Sequence, residues 1–208
     1  MEYNRLIDRK AETDRITEAL KRESTQFIVI YGRRRIGKST LIKYLVNSQE
    51  QAIYFLSDSS TEAVQRSAFA KSVATVIDGF DKVIYPDWES LFRSMNNQLS
   101  QRIMVCLDEF PYLVKSCEAL PSIIQKLLNE KILKFDLVLC GSSQQLMHGY
   151  VLNRQSPLYG LANEIIKMQP IAAQYMREAM ECDAVQAVEE FAIWGGICSS
   201  AASTPPFK

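Results

Sequence analysis

At 208 residues, with 47% apolar and 23% charged side chains, the chain has the size and balance of one globular domain plus a small appendage. Its 24 basic and 24 acidic residues cancel, which excludes a global pull toward nucleic acid or a membrane surface and leaves only local clusters such as Arg33, Arg34 and Arg35. The opening MEYNRLIDRKAETD has no apolar signal core, no apolar run nears the ~20 residues of a membrane-crossing helix, and the five cysteines and lone His148 lack metal spacing; a reduced, soluble, cytoplasmic protein is expected.

The first predicted strand is TQFIVIYG (25–32), rich in Ile, Val and aromatics and stopped by glycine. Leu41, Ile42, Leu45 and Val46 follow at helical spacing, and AIYFLSD (52–58) reads as a second strand. Phe69, Val73, Val76 and Ile77 mark one helix; Trp88, Leu91, Phe92, Met95 and Leu99 mark another, capped by Asp87. RIMVCLDEF (102–110) is a third strand ending in two acids. Ile123, Ile124, Leu127 and Leu128 form a helix face begun near Pro121. FDLVLCGSS (135–143) and NEIIKMQPI (163–171) are the fourth and fifth strands.

Near-continuous apolar strands separated by helices predict an α/β fold with a parallel sheet covered on both faces. After residue 172 only helical pattern remains: Tyr175, Met176, Ala179 and Met180, then Val185, Val188, Phe191 and Ala192. The expected division is a core over 1–171, a helical appendage over 172–197 and a loose tail of small, polar and proline residues over 198–208.

Gly32-Arg33-Arg34-Arg35-Ile36-Gly37-Lys38-Ser39, followed by Thr40, satisfies G-x-x-x-x-G-K-[ST] between a predicted strand and a predicted helix. Glycines let the backbone curl its N–H groups toward phosphate, and the helix offers its positive end to the same anion. Lys38 is expected at the β- and γ-phosphates and Ser39 on Mg²⁺. The three arginines have two readings: a solvated or salt-bridged loop exterior, or a contact to the base or to a partner that senses the nucleotide.

The third strand delivers Asp108 to its C-terminal end, where open α/β sheets collect ligands. Asp108 is expected to hold Mg²⁺ through water, and Glu109 to polarise an attacking water. A small-molecule kinase need not carry that glutamate, whereas a hydrolase must handle water, so Glu109 tilts the reading toward ATP hydrolysis. Ser142 and Ser143 end the strand expected beside the phosphate-loop strand. Their hydroxyls serve either the γ-phosphate and the water, or a turn and helix cap after Gly141.

In chain order, DRKAETDRI, VIYGRRRIGKSTLI, VCLDEFPYL, LVLCGSS and SPLYGLANEII resemble the archaeal-type ATPase family, P-loop ATPases related to AAA+ and signalling (STAND) ATPases. The resemblance covers nearly the whole chain, from residue 5 to 196. It implies a three-layer core with strand order 5-1-4-3-2, and an ATP–Mg²⁺ site of Lys38, Ser39, Asp108 and Glu109 with Ser142 or Ser143 as the sensor. Arg9 and Glu12 resemble the family's opening arginine–glutamate box, which packs near the base; a helix-start ion pair is the alternative.

Two departures accompany the resemblance. Leu161 stands where the family's SPLYG usually continues with arginine, and Arg154 lies seven residues upstream. After FAIWGGI the chain gives CSSAASTPPFK, which reads as a truncated product or fragment with only part of a helical lid. The expectation is ATP–Mg²⁺ binding with slow hydrolysis by an intracellular switch. A nucleotide-binding module without turnover is the rival, and a nucleic-acid-associated ATPase the weaker one. ATP or ADP is the expected ligand, with a homo-oligomer or protein partner and no membrane.

Overall fold

The computed structural model describes residues 6–196. In chain order its elements are α1 (Lys10–Leu20), β1 (Phe27–Tyr31), α2 (Lys38–Asn47), β2 (Ala52–Leu56), α3 (Glu62–Val73), α4 (Trp88–Gln98), β3 (Ile103–Asp108), α5 (Phe110–Ser116) and α6 (Leu120–Asn129). They continue with β4 (Phe135–Gly141), the short α7 (Gln144–Met147), β5 (Glu164–Lys167), α8 (Ala173–Met180) and α9 (Ala184–Trp194). The predicted tail over 198–208 lies outside the described residues.

All five strands are parallel, in the order β2-β3-β4-β1-β5. Read from the other edge this is 5-1-4-3-2, the order the family resemblance implies. Alternation along each strand divides the core in two. Phe27, Val29, Val105, Leu107, Leu137 and Leu139 face one helical layer with Phe69, Trp88, Phe92 and Leu127. Ile28, Ile30, Cys106, Val138 and Cys140 face the other, with Ile16 of α1 and Leu41, Ile42 and Leu45 of α2. Burial on both faces is why β1, β3 and β4 have no alternating polar residues.

Asp87 caps α4 as expected, its carboxylate accepting from the Ser90 N–H at 2.7 Å. The helix marked by Phe69 and Val73 is shorter than its apolar spacing predicts. α3 ends at Val73, and the N–H groups of Val76 and Ile77 both return to the Val73 carbonyl at 2.9 Å. Val76 and Ile77 therefore reach the core from a turn. Beyond β5, α8 and α9 share a small apolar cluster of their own around Ile171, Met176 and Ala187. Val185 and Val188 point outward from it, 68% and 69% exposed. The Ile171 N–H donates to the Gly196 carbonyl at 3.0 Å, tying the end of this pair back to the chain just before α8.

Candidate nucleotide site

The loop 32–39 leaves β1 under tight steric control. A Cβ at Gly32 would stand 2.6 Å from the Met168 carbonyl oxygen and 2.6 Å from Ile36 Cδ1, so only glycine passes here. Arg35 (φ 62°) and Gly37 (φ 88°) both adopt the left-handed region, and a non-glycine residue there stores ~1–3 kcal/mol of strain. Ile36, between them, anchors the loop in the core. α2 then begins at Lys38 with no side-chain cap, so its first amides lack a partner from the helix itself and suit an anion. Thr40, in that first turn, is exposed.

Lys38 is 5% exposed, and its ammonium donates to the carbonyls of Gly32 (3.0 Å) and Arg33 (2.6 Å). Burial draws its pKa below the usual lysine range, with the nearby Glu109 and Asp108 carboxylates opposing the fall. Arg9 is buried too. One of its nitrogens donates to the Ile36 carbonyl at 2.8 Å and to the Gln169 carbonyl at 2.9 Å, and it pairs with Glu12 at 3.6 Å. Its guanidinium is thus spent on bracing the loop against the chain after β5.

Asp108, fully buried at the end of β3, collects three donors. The Ser39 hydroxyl (2.7 Å) and the Tyr54 hydroxyl (2.8 Å) both reach Oδ2, and the Glu109 N–H (2.9 Å) reaches Oδ1. This satisfies a carboxylate that burial alone would penalise. Burial, then the Asp108 charge, drives the Tyr54 phenol well above its usual pKa, so it remains a donor. The Ser39–Asp108 pair is a hydroxyl and a carboxylate, the hard oxygen donors that Mg²⁺ takes, so the residues present fit that ion.

Glu109 sits in the left-handed region (φ 54°, ψ 42°) where the chain turns from β3 into α5. Ser57 secures this strained turn by donating to the Asp108 carbonyl and to the Glu109 carbonyl at 2.8 Å. The turn sends the Glu109 carboxylate to Ser142, whose N–H (3.2 Å) and hydroxyl (2.9 Å) both donate to Oε2. The two serines divide their tasks, because the Ser143 hydroxyl accepts from the Leu146 N–H at 3.3 Å and caps α7. Arg34, Glu109, Tyr112, Lys115, Ser142 and Ser143 line one cleft of about 210 Å³. Arg33, Arg34 and Arg35 are all exposed.

Lys38, Ser39, Asp108, Glu109 and Ser142 are therefore brought together, and Arg9 stands behind the loop. Tyr54 and Ser57 were not foreseen. Two hydroxyls within AIYFLSD, one inside its apolar part and one directly after Leu56, are the only local signals. Leu161 packs against the larger core cluster.

A loop after β1, an acid pair after β3 and a five-stranded parallel sheet in this order define a P-loop ATPase domain of AAA+-like architecture. The chain belongs to the family of ATPase domains found predominantly in Archaea, whose family model matches residues 6–194. An uncharacterized Methanocaldococcus jannaschii protein is 33% identical over 174 residues, covering 83% of this chain and 37% of that protein. Among solved structures, the Aeropyrum pernix ORC1 protein in complex with DNA is similar at a TM-score of 0.62 and 19% identity, over 90% of this chain and 50% of that one. The Aeropyrum pernix ORC2 protein in its ADPNP–ADP complexes follows at 0.61 and 14%, covering 90% and 54%. The Thermotoga maritima RuvB Holliday junction branch migration motor follows at 0.51 and 16%, covering 84% and 50%. These similarities show the fold, and the chain spans about half of each structure's length or less than two fifths of the curated relative's. No described helix is long and apolar enough to cross a membrane.

Proposed function

We propose that this chain binds ATP with Mg²⁺ on the loop 32–39 and hydrolyses it slowly, as a nucleotide-dependent switch inside the cell. The observation that carries the reading is the meeting of Ser39, on the first turn of α2, with the buried Asp108 of β3, beside Lys38. Lys38 and the amides of 32–39 would hold the phosphates, exchanging the Gly32 and Arg33 carbonyls for phosphate oxygens. Ser39 and Asp108 would hold Mg²⁺, which supplies charge neutralisation on the β- and γ-phosphates when bound. Glu109 would orient the water and take its proton.

Slow turnover is supported by Leu161, whose packing contact with the larger core cluster puts an apolar side chain where the family's arginine would stand, so that position offers no cation to the terminal phosphate. The same residue favours the rival reading, a nucleotide-binding module without turnover. Residues 1–171 would form the nucleotide-holding core and 172–197 part of a lid, with an oligomer or a protein partner reading the nucleotide state. Nucleic acid is the weaker partner, since the net charge is zero.

Calorimetric titration with ATP and ADP, with and without Mg²⁺, beside a phosphate-release assay on the same preparation, tests the reading. Lys38→Ala is expected to abolish binding, and Glu109→Gln to retain ATP while stopping release. Unchanged ATP affinity in Lys38→Ala overturns the site; binding with no release in the wild type, also in its oligomeric fractions, establishes the module instead.

A further inference from the structure

We infer that Arg34 supplies a second cation for the terminal phosphate from within this chain, acting beside Lys38 on the triphosphate but not on the diphosphate. The inference rests on the proposed nucleotide site and concerns how that site tells ATP from ADP.

Of the three loop arginines, Arg34 is the one that lines the cleft holding Glu109, Ser142 and Ser143. Its guanidinium is thus on the side of the loop where the hydrolytic carboxylate stands. Its recorded contact there is slight, a 3.4 Å approach to the Tyr112 hydroxyl, too long to satisfy five donors. Among the described residues Arg34 forms no ion pair, in contrast to Arg15, Arg22, Arg66, Arg93 and Arg102.

Lys115 lines the same cleft but from α5, with its ammonium 5.8 Å from the centre of the Tyr112 ring. A guanidinium has the better geometry for phosphate, since its planar fork can engage two oxygens at once. Cations aimed at a transferring phosphoryl group contribute most where its charge develops. The terminal phosphate is the group beside Glu109, so removing Arg34 should cost ATP far more than ADP.

The test measures affinities for ADP and for a non-hydrolysable ATP analogue, both with Mg²⁺, on the wild type, Arg34→Ala, Arg34→Lys and Lys115→Ala. Lys71→Ala, an exposed charge on α3, controls for net charge. Arg34→Ala is expected to weaken the triphosphate tenfold or more while leaving ADP within twofold. Arg34→Lys should recover part of the loss, and phosphate release, where the wild type shows it, should fall in step. Arg34 is exposed, so its variants should melt as the wild type does. Equal loss for both nucleotides, no loss for either, or triphosphate discrimination lost in Lys115→Ala and not in Arg34→Ala overturns the assignment. A wild type that binds neither nucleotide overturns the site itself and this inference with it. Wild-type binding with unaltered discrimination in Arg34→Ala sinks only the role of Arg34.

Discussion

The Ser39 hydroxyl lies 2.7 Å from Oδ2 of Asp108, joining the first turn of α2 to the end of a strand 69 residues further along the chain. The proposed site depends on this junction, because each residue is the kind of oxygen ligand that completes the other's shell around Mg²⁺. Ser39→Ala removes one ligand but leaves Asp108 with two donors, so the fold should tolerate it at a cost of about 1 kcal/mol. The expected functional result is an ATP affinity in Mg²⁺ that falls toward the value in EDTA. Titration under both conditions checks it, and a Ser39→Ala protein with full Mg²⁺ dependence removes Ser39 from the metal site.

Tyr54 donates to the same carboxylate oxygen as Ser39, at 2.8 Å. A hydrogen bond to a charged acceptor is worth ~1.5–3 kcal/mol, and Asp108 is fully buried, so no water replaces the lost donor readily. Tyr54→Phe keeps the ring packing and deletes only that bond. Denaturant unfolding is expected to show a loss of roughly 1–3 kcal/mol. A variant as stable as the wild type would show that Asp108 finds another donor.

The sheet was readable because β1, β3 and β4 are near-continuous apolar runs, broken only by Asp136 near the start of β4 and Asp108 at the end of β3, a pattern that suits strands buried on both faces. The strand order came with the family resemblance, since periodicity carries no information on which strands adjoin. Lys38 and Ser39 were legible from the glycine-bounded loop pattern, and Asp108 and Glu109 as acids closing an oily strand. Tyr54 was not, because a tyrosine within a strand reads as packing until its hydroxyl is placed. Arg9 offered two local readings, and its main partners, the Ile36 and Gln169 carbonyls, lie 27 and 160 residues away. α5 escaped notice because its seven residues begin in a left-handed turn at Glu109, where a non-glycine residue is held by its neighbours and not by its own preference. In α9 the spacing of Val185 and Val188 revealed a helix but not which face its neighbour covers.

The two loop glycines should fail differently when replaced by alanine. At Gly32 the new methyl meets the Met168 main-chain carbonyl at 2.6 Å, which no rotamer change relieves. Overpacking of this kind typically costs 1–3 kcal/mol and shifts the backbone. At Gly37 the methyl meets open space, and the cost is the left-handed conformation alone, roughly 1–2 kcal/mol. Both variants are expected to lose stability in thermal melts, but Gly32→Ala should also displace the loop from β5 and weaken nucleotide binding more. The reverse ranking in a binding titration would count against the crowding at Met168.

Glu164, at the start of the edge strand β5, joins it to α1 and the following turn by accepting from Arg15 (2.7 Å) and Arg22 (3.0 Å). The Arg15 hydrogen bond, followed by that of Arg22, holds the Glu164 carboxyl below its ordinary pKa of 4.5. The folded state therefore keeps this group ionised at acidity where the unfolded chain has already bound a proton. Its stabilisation is complete well above pH 4.5 and is lost as pH falls through the lower folded value. Both arginines are about half exposed, so solvent screening limits the pair to ~0.2–1 kcal/mol at neutral pH. Glu164→Gln should show that small deficit in urea unfolding at pH 7, and the deficit should shrink as the pH drops below 4.5. High salt should shrink it as well, since exposed partners are screened. A deficit that persists unchanged at low pH would assign the contribution of Glu164 to packing and neutral hydrogen bonds, because a glutamine cannot titrate while the wild-type carboxylate does.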